Sequence, residues 1–93
     1  MKDVSELIDL LKLEQLEYNL FRGQSSSIGS KRVFGGQVLA QALSAAMQTV
    51  PEDRFVHSLH AYFILPGDIN LPIVFDVEPI HDGGSFTTRR VKA

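Results

Sequence analysis

Arg32-Val33-Phe34-Gly35-Gly36-Gln37-Val38-Leu39-Ala40-Gln41-Ala42-Leu43-Ser44-Ala45-Ala46-Met47-Gln48-Thr49 is the stretch that decides the fold of this chain. From Val33 to Pro51 there is no Lys, Arg, Asp, Glu or His. The polar side chains Gln37, Gln41, Ser44 and Gln48 recur at i, i+4, i+7 and i+11, which lays them along one stripe of a helix of period 3.6. The other faces are apolar, and Ala40, Ala42, Ala45 and Ala46 are small enough for close approach by a neighbour. A helix apolar nearly all round belongs in an interior. The pattern therefore predicts a buried central helix, entered through Gly35-Gly36 and closed by Pro51, with the rest of the chain wrapped around it.

The flanking segments read mostly as strands. Asp3 to Leu11 forms a short amphipathic helix, within an N-terminal helical region at 1–12. Asp3 and Glu6 approximate a capping box, and Val4, Leu7, Ile8 and Leu11 form the apolar stripe. Leu16 to Arg22 alternates like a single strand, and Gly23 to Ser30 is a polar loop. Phe55 to Leu65 is apolar on both faces, the pattern of a central strand covered on two sides. Pro66-Gly67-Asp68 ends it, with Asp68 as a turn residue. Pro72 to Ile80 places Ile73, Phe75 and Val77 on one face and Asp76 and Glu78 on the other. Asp82-Gly83-Gly84 is a hairpin turn. Ser85 to Ala93 begins a further strand whose inward face is ambiguous, since Phe86 argues for one face and Val91 for the other. A lone buried helix amid antiparallel strands is an α+β arrangement, a curved sheet wrapped around one helix, as in the hotdog fold.

Composition narrows the function. Ninety-three residues, 44% of them apolar, make one domain at most. Such a chain buries only about 60–65% of its unfolded surface, so its core is thin. The absence of cysteine removes thiol nucleophiles, disulfides and thiolate metal sites. A net charge of −2 provides no basic field for nucleic acid. The N-terminus lacks a signal-peptide layout, and no apolar run approaches the ~20 residues that span a bilayer. A cytoplasmic protein, with no membrane or nucleic-acid partner, is expected.

Five segments in order resemble one family: Leu20-Phe21-Arg22-Gly23-Gln24; Arg32 to Ala42; Val56-His57-Ser58-Leu59-His60-Ala61-Tyr62-Phe63; Pro66-Gly67-Asp68; and Ser85-Phe86-Thr87-Thr88-Arg89-Arg90-Val91. Together they resemble the N-terminal repeat of the bacterial acyl-CoA thioesterase II family, over about Leu13 to Ala93. The resemblance implies hydrolysis of acyl-CoA to free fatty acid and CoA by a chain of two hotdog repeats. It also implies a catalytic Asp, Gln and Thr in the second repeat, so none of these is carried onto the present residues. By this resemblance residues 1–93 are a single N-terminal repeat whose last strand would follow Ala93. Its expected partners are the acyl-CoA substrate and a second repeat, or further copies in a homo-oligomer.

The residues themselves offer limited chemistry. Thioester hydrolysis needs an activated water and a donor for the developing oxyanion. The central helix carries no carboxylate, and Gln37 and Gln41 hydrogen-bond without accepting a proton at neutral pH. Gly35 and Gly36 are candidate oxyanion donors, because backbone N–H groups at a helix start favour negative charge. Their alternative role is relief of crowding. Gly35, Gly36, Gln37 and Gln41 are thus the substrate-binding candidates. The glutamine stripe could equally face a partner repeat, which is the preferred reading of an uncharged face. His57 and His60 are the weak catalytic candidates. Their odd spacing puts them on opposite strand faces, which argues against a metal pair, and no metal or cofactor is expected. Arg89 and Arg90 either meet CoA phosphates or form ion pairs. The chain is read as half of an acyl-CoA thioesterase, not catalytic alone. The alternatives are a non-catalytic structural or dimerisation half and a hotdog enoyl-thioester dehydratase.

Overall fold

The computed structural model describes residues 4–24, 35–64 and 70–93. Within them the order is α1 (Val4–Leu11), β1 (Glu14–Glu17), β2 (Leu20–Gly23), α2 (Gly35–Met47), β3 (Ile73–Asp82) and β4 (Thr87–Lys92). The strands form one antiparallel sheet in the order β1-β2-β3-β4, and α2 packs across it, an α+β arrangement with one central helix.

The core grows from the alternation in β2 and β3. Phe21 lies directly opposite Phe75 in the register, and neither ring is exposed to solvent. Cross-strand aromatic pairs of this kind are a basic unit of sheet stabilisation. Val77 and, from α2, Ala45 complete the buried cluster, and Leu13, Val38, Ala42, Ile73 and Val91 pack against it. The small Ala45 lets the helix sit close to the two rings. The alternation expected for the Pro72–Ile80 strand is present: Phe75 and Val77 are buried while Val74 and Asp76 are exposed.

Three expectations need correction. Leu16 to Arg22 is not one strand. The chain turns at Tyr18-Asn19, and β1 pairs back on β2 with a bulge between Gln15 and Glu17. The turn is secured from the neighbouring strand, as Val77 N donates to Asn19 O at 2.8 Å. The hairpin after β3 is longer than Asp82-Gly83-Gly84. It spans residues 83–86, closed by Gly83 N donating to Phe86 O at 2.8 Å. Phe86 therefore lies outside β4 and is exposed. The inward face of β4 is Thr87, Arg89 and Val91.

The largest departure is the segment expected as the central strand. Residues 55–64 carry no regular secondary structure, and nearly all their side chains are exposed, with Phe55 at 87% and Ile64 at 86%. A strand apolar on both faces needs cover on both and a neighbour to accept its ladder. No strand among the described residues lies beside it in the sheet. The central helix is correspondingly less enclosed than its composition predicts: the sheet and α1 cover two sides, and Val38, Leu39, Ala42, Leu43 and Ala46 are only half-buried. Residues 25–30, Arg32 and Pro66-Gly67-Asp68 lie outside the described residues.

Candidate functional site

The glutamine stripe of α2 meets α1 within the same chain. Gln41 is fully buried, and its Nε2 donates to Leu10 O at 2.9 Å and to Gln24 O at 2.8 Å. Gln37 Nε2 donates to Gln24 O at 3.3 Å and to Gln41 Oε1 at 3.4 Å. Ser44 Oγ donates to Leu11 O at 2.9 Å. Leu10 and Leu11 are the last residues of α1, whose terminal carbonyls have no partner within their own helix. The uncharged stripe thus binds the C-terminal end of α1 and the end of β2. The preference for a partner repeat on this face is corrected over Gln37, Gln41 and Ser44. Only Gln48, at the far end of the stripe, is exposed.

Gly35 and Gly36 open α2, so their amides belong to the first turn, whose N–H groups point away from the helix body. A Cβ at Gly35 would stand 3.4 Å from Phe63 Cε1, so this glycine lies against an aromatic ring. Gly36 is exposed. Gly23 is tighter: a Cβ there would reach Gln41 Nε2 at 2.8 Å and Leu13 Cδ2 at 3.0 Å. The absence of a side chain at Gly23 is what lets the Gln41 amide pass to the Gln24 carbonyl.

His57 and His60 both lie on the exposed 55–64 segment, away from the glutamine pair. The ring of His57 sits 5.7 Å from that of Phe86, and the ring of His60 sits 4.9 Å from that of Tyr62. Among the described residues no group of His, Asp and Glu is placed to hold a metal ion.

Between this segment and β4 runs a groove of about 850 Å³. Its floor is the apolar face of α2, with Val38, Ala42 and Ala46. One wall is residues 54–64, including both histidines, and the other is β4 with its flanking residues. The groove and the buried glutamines lie on different sides of α2, so Gln37 and Gln41 are separated from His57 and His60, while Gly35 lies against Phe63 of the groove wall.

Both candidate phosphate-binding arginines have protein partners. Arg89 is nearly buried. It donates through Nε to Thr49 Oγ1 at 2.8 Å and through Nη2 to Thr49 O at 2.9 Å, and it pairs with Asp82 at 2.9 Å. Arg90 pairs with Glu78 at 2.8 Å, and Lys92 reaches the same carboxylate at 2.9 Å. Hydrogen bonds from Arg90 and then Lys92 hold the Glu78 carboxyl below its ordinary value. Arg54 Nη2 donates to the carbonyls of Gly83 at 2.9 Å and Gly84 at 3.0 Å. Sequence spacing gives no sign of the Thr49 and Arg54 roles, because each joins residues about thirty or forty positions apart, and the Asp82–Arg89 pair depends on the register of the β3–β4 hairpin.

The fold and the charge-free helix define an α+β domain of the kind that pairs one helix with an antiparallel sheet. Residues 21–93 match the acyl-CoA thioesterase N-terminal domain, and the chain belongs to the acyl-CoA thioesterase II family as its N-terminal domain. It is 55% identical to acyl-CoA thioesterase 2 of Haemophilus influenzae, across 100% of the chain and 33% of that protein. It is 50% identical to human acyl-coenzyme A thioesterase 8, across 90% of the chain and 26% of that protein. It therefore spans about a third or less of these relatives. Among solved structures, the tesB protein of Mycobacterium avium subs paratuberculosis superposes with a TM-score of 0.90 at 36% identity, covering 96% of this chain and 36% of that one. TesB2 of Mycobacterium marinum gives 0.82 at 48% identity, covering 92% and 31%. No helix among the described residues is long and apolar enough to cross a membrane.

Proposed function

We propose that this chain is the N-terminal hotdog repeat of an acyl-CoA thioesterase, its sheet lacking one strand, and that the whole protein hydrolyses acyl-CoA to a free fatty acid and CoA. In that reaction water adds to the thioester carbonyl, the oxyanion collapses, and the CoA thiolate leaves and takes up a proton. A general base must accept a proton from the water. One observation carries the assignment of this half to a supporting role: its central helix has no carboxylate, and the amide donors of Gln41 are both engaged by main-chain carbonyls. The domain then contributes packing, the first turn of α2 at Gly35-Gly36 and part of an acyl-binding surface. Gln37 and Gln41 act from behind that turn by fixing α2 against α1. His57 and His60 both line the groove, so the expected separation onto opposite faces of a strand does not hold where 55–64 forms no strand.

The same observation favours a second reading, in which this half is purely structural and completes the fold and interface of an active repeat or of a further copy. Free-thiol release from acyl-CoA separates the two readings. The chain alone and a chain extended to the length of the relatives are each assayed over several acyl lengths. Activity confined to the extended chain supports the thioesterase reading. His57→Ala and His60→Ala in the extended chain then show whether this half touches the chemistry. Robust hydrolysis by the chain alone, abolished by either histidine substitution, overturns the supporting role.

A further inference from the structure

We propose that the Asp82–Gly83 peptide is a site of spontaneous covalent modification, closing to a cyclic imide and reopening as isoaspartate, and that the ties around the β3–β4 hairpin set its rate. The chemistry needs only this peptide and water, so it stands apart from thioester hydrolysis.

Ring closure is an attack by a backbone nitrogen on the side chain before it. Gly83 N bonds to Asp82 Cγ, the amide proton passes to a base, and the carboxyl hydroxyl leaves with a proton as water. Water then adds to either imide carbonyl. Addition at Asp82 Cγ restores aspartate. Addition at Asp82 C breaks its bond to Gly83 N and leaves the main chain running through Cβ and Cγ. The water lost in the first step is regained in the second, and no oxidant or cofactor takes part. The residue after the aspartate decides access, because a Cβ there crowds the nitrogen. Asp82 is the only aspartate followed by glycine; the others precede Val, Leu, Arg or Ile, and both asparagines precede Leu. Glycine also leaves the backbone free to reach the ring geometry.

The surroundings favour the reaction once the hairpin opens. The Asp82 side chain is 60% exposed, so water reaches it. His81 Nε2 stands 2.6 Å from where a Cβ on Gly83 would lie, so an imidazole able to accept a proton sits against the attacking residue. The closed hairpin opposes it. Asp82 pairs with Thr87 at the end of the β3–β4 ladder, and ring closure requires a ψ outside the β region that this pairing imposes. Gly83 N donates to Phe86 O at 2.8 Å. Asp82 Oδ1 is held by Arg89 Nη2 at 2.9 Å. Arg54 Nη2 donates to Gly83 O at 2.9 Å and Gly84 O at 3.0 Å, tying the turn down from outside the hairpin. Isoaspartate lengthens the main chain by one methylene and hangs the carboxylate directly on Cα. Both changes draw the carboxylate away from Arg89, which also holds the end of α2 through Thr49. Modification therefore loosens the C-terminal end of the central helix.

Ageing the chain for weeks at neutral pH and physiological temperature tests this. Peptide mapping with electron-transfer fragmentation tells isoaspartate from aspartate. Isoaspartate should accumulate at residue 82 and at no other aspartate, preceded by a species lighter by one water. Arg54→Ala should speed this by about tenfold, the effect of losing charged hydrogen bonds that hold the turn. Slow amide exchange in β2 and β3 checks that this variant is folded. The urea-unfolded chain should react faster than either. Asp82→Glu keeps a carboxylate for Arg89 but needs a larger ring, so it should form no isoaspartate there. With ageing, amides in the last turn of α2 should exchange faster in the unaltered chain and not in Asp82→Glu. No isoaspartate at residue 82 in either the unaltered or the Arg54→Ala chain overturns the proposal. So does an equal rate in those two chains, or in the folded and unfolded chain, because the hairpin ties would then not set the rate.

Discussion

Arg89 binds Thr49 twice, through the side-chain oxygen at 2.8 Å and the carbonyl at 2.9 Å, although forty residues separate them. The guanidinium therefore caps the end of α2 and ties it to β4. Helix C-termini favour cations, because their last carbonyls are unpaired and the helix dipole is negative there. Asp82, across the β3–β4 ladder, neutralises the same group at 2.9 Å.

Arg89→Ala should destabilise the chain by ~2–4 kcal/mol, as it removes charged hydrogen bonds and strands a partly buried carbonyl. Arg89→Lys should recover less than half of the loss, because an ammonium cannot reproduce the planar fork that meets the hydroxyl and carbonyl of Thr49 together. Urea unfolding midpoints at constant m-value give both numbers. A Lys variant as stable as the original would show that charge alone, without fork geometry, holds the helix end.

Gln41→Leu keeps the volume but removes the donors to Leu10 O and Gln24 O. Leu10 O then loses this donor and Gln24 O keeps only the longer bond from Gln37 at 3.3 Å, and a loss of ~1–3 kcal/mol is expected. The damage should be local first, with amides of α1 exchanging faster than those of β2 and β3. Uniform acceleration through the whole chain would mean that α1 and the sheet unfold as one unit.

Gly23→Ala should cost ~1–3 kcal/mol, because the new methyl would press on Gln41 Nε2 and Leu13 Cδ2. The two sites touch, so their effects should not add. Gly23→Ala combined with Gln41→Ala is expected to lose clearly less than the sum of the single variants. A double-mutant cycle in urea measures the coupling, and an additive result would place the strain elsewhere.

Glu78 supplies a pH dependence of known sign. Arg90 first and Lys92 second hold its carboxyl below the ordinary value of 4.5. The folded value is therefore lower than the unfolded one, and as pH falls the unfolded chain takes up the proton first. The contribution is complete above the unfolded value and is lost as pH drops through the folded one. Glu78→Gln should thus be less stable than the original at neutral pH and should converge with it in acid below both values. The difference should be small and should shrink with added salt, since the ion pairs stand partly in water. A gap that widens on acidification would reverse the sign and identify another group as the source.

How much was legible in the sequence depends on the range of the interaction. The helix at Gly35–Met47 and the inward set Ile73, Phe75 and Val77 follow from spacing alone, because a helix and a half-buried strand each impose a period on side chains within a few residues. The absence of a base on α2 was legible in the same way, since charge is a property of residue type. The destination of the glutamine stripe was not. Uncharged polar spacing says that a face is covered, while the fold decided that α1 covers it, through Leu10 and Leu11 some thirty residues away. The inward face of β4 was likewise decided only when the 83–86 hairpin set its register and left Phe86 outside the strand. Residues 55–64 mark the same boundary: their two apolar faces encode the demand for cover on both sides, but a strand forms only where a neighbour accepts its hydrogen bonds. Local period is written in the sequence because it comes from backbone geometry; the partner is not, because which surfaces meet is settled only by the folded chain as a whole.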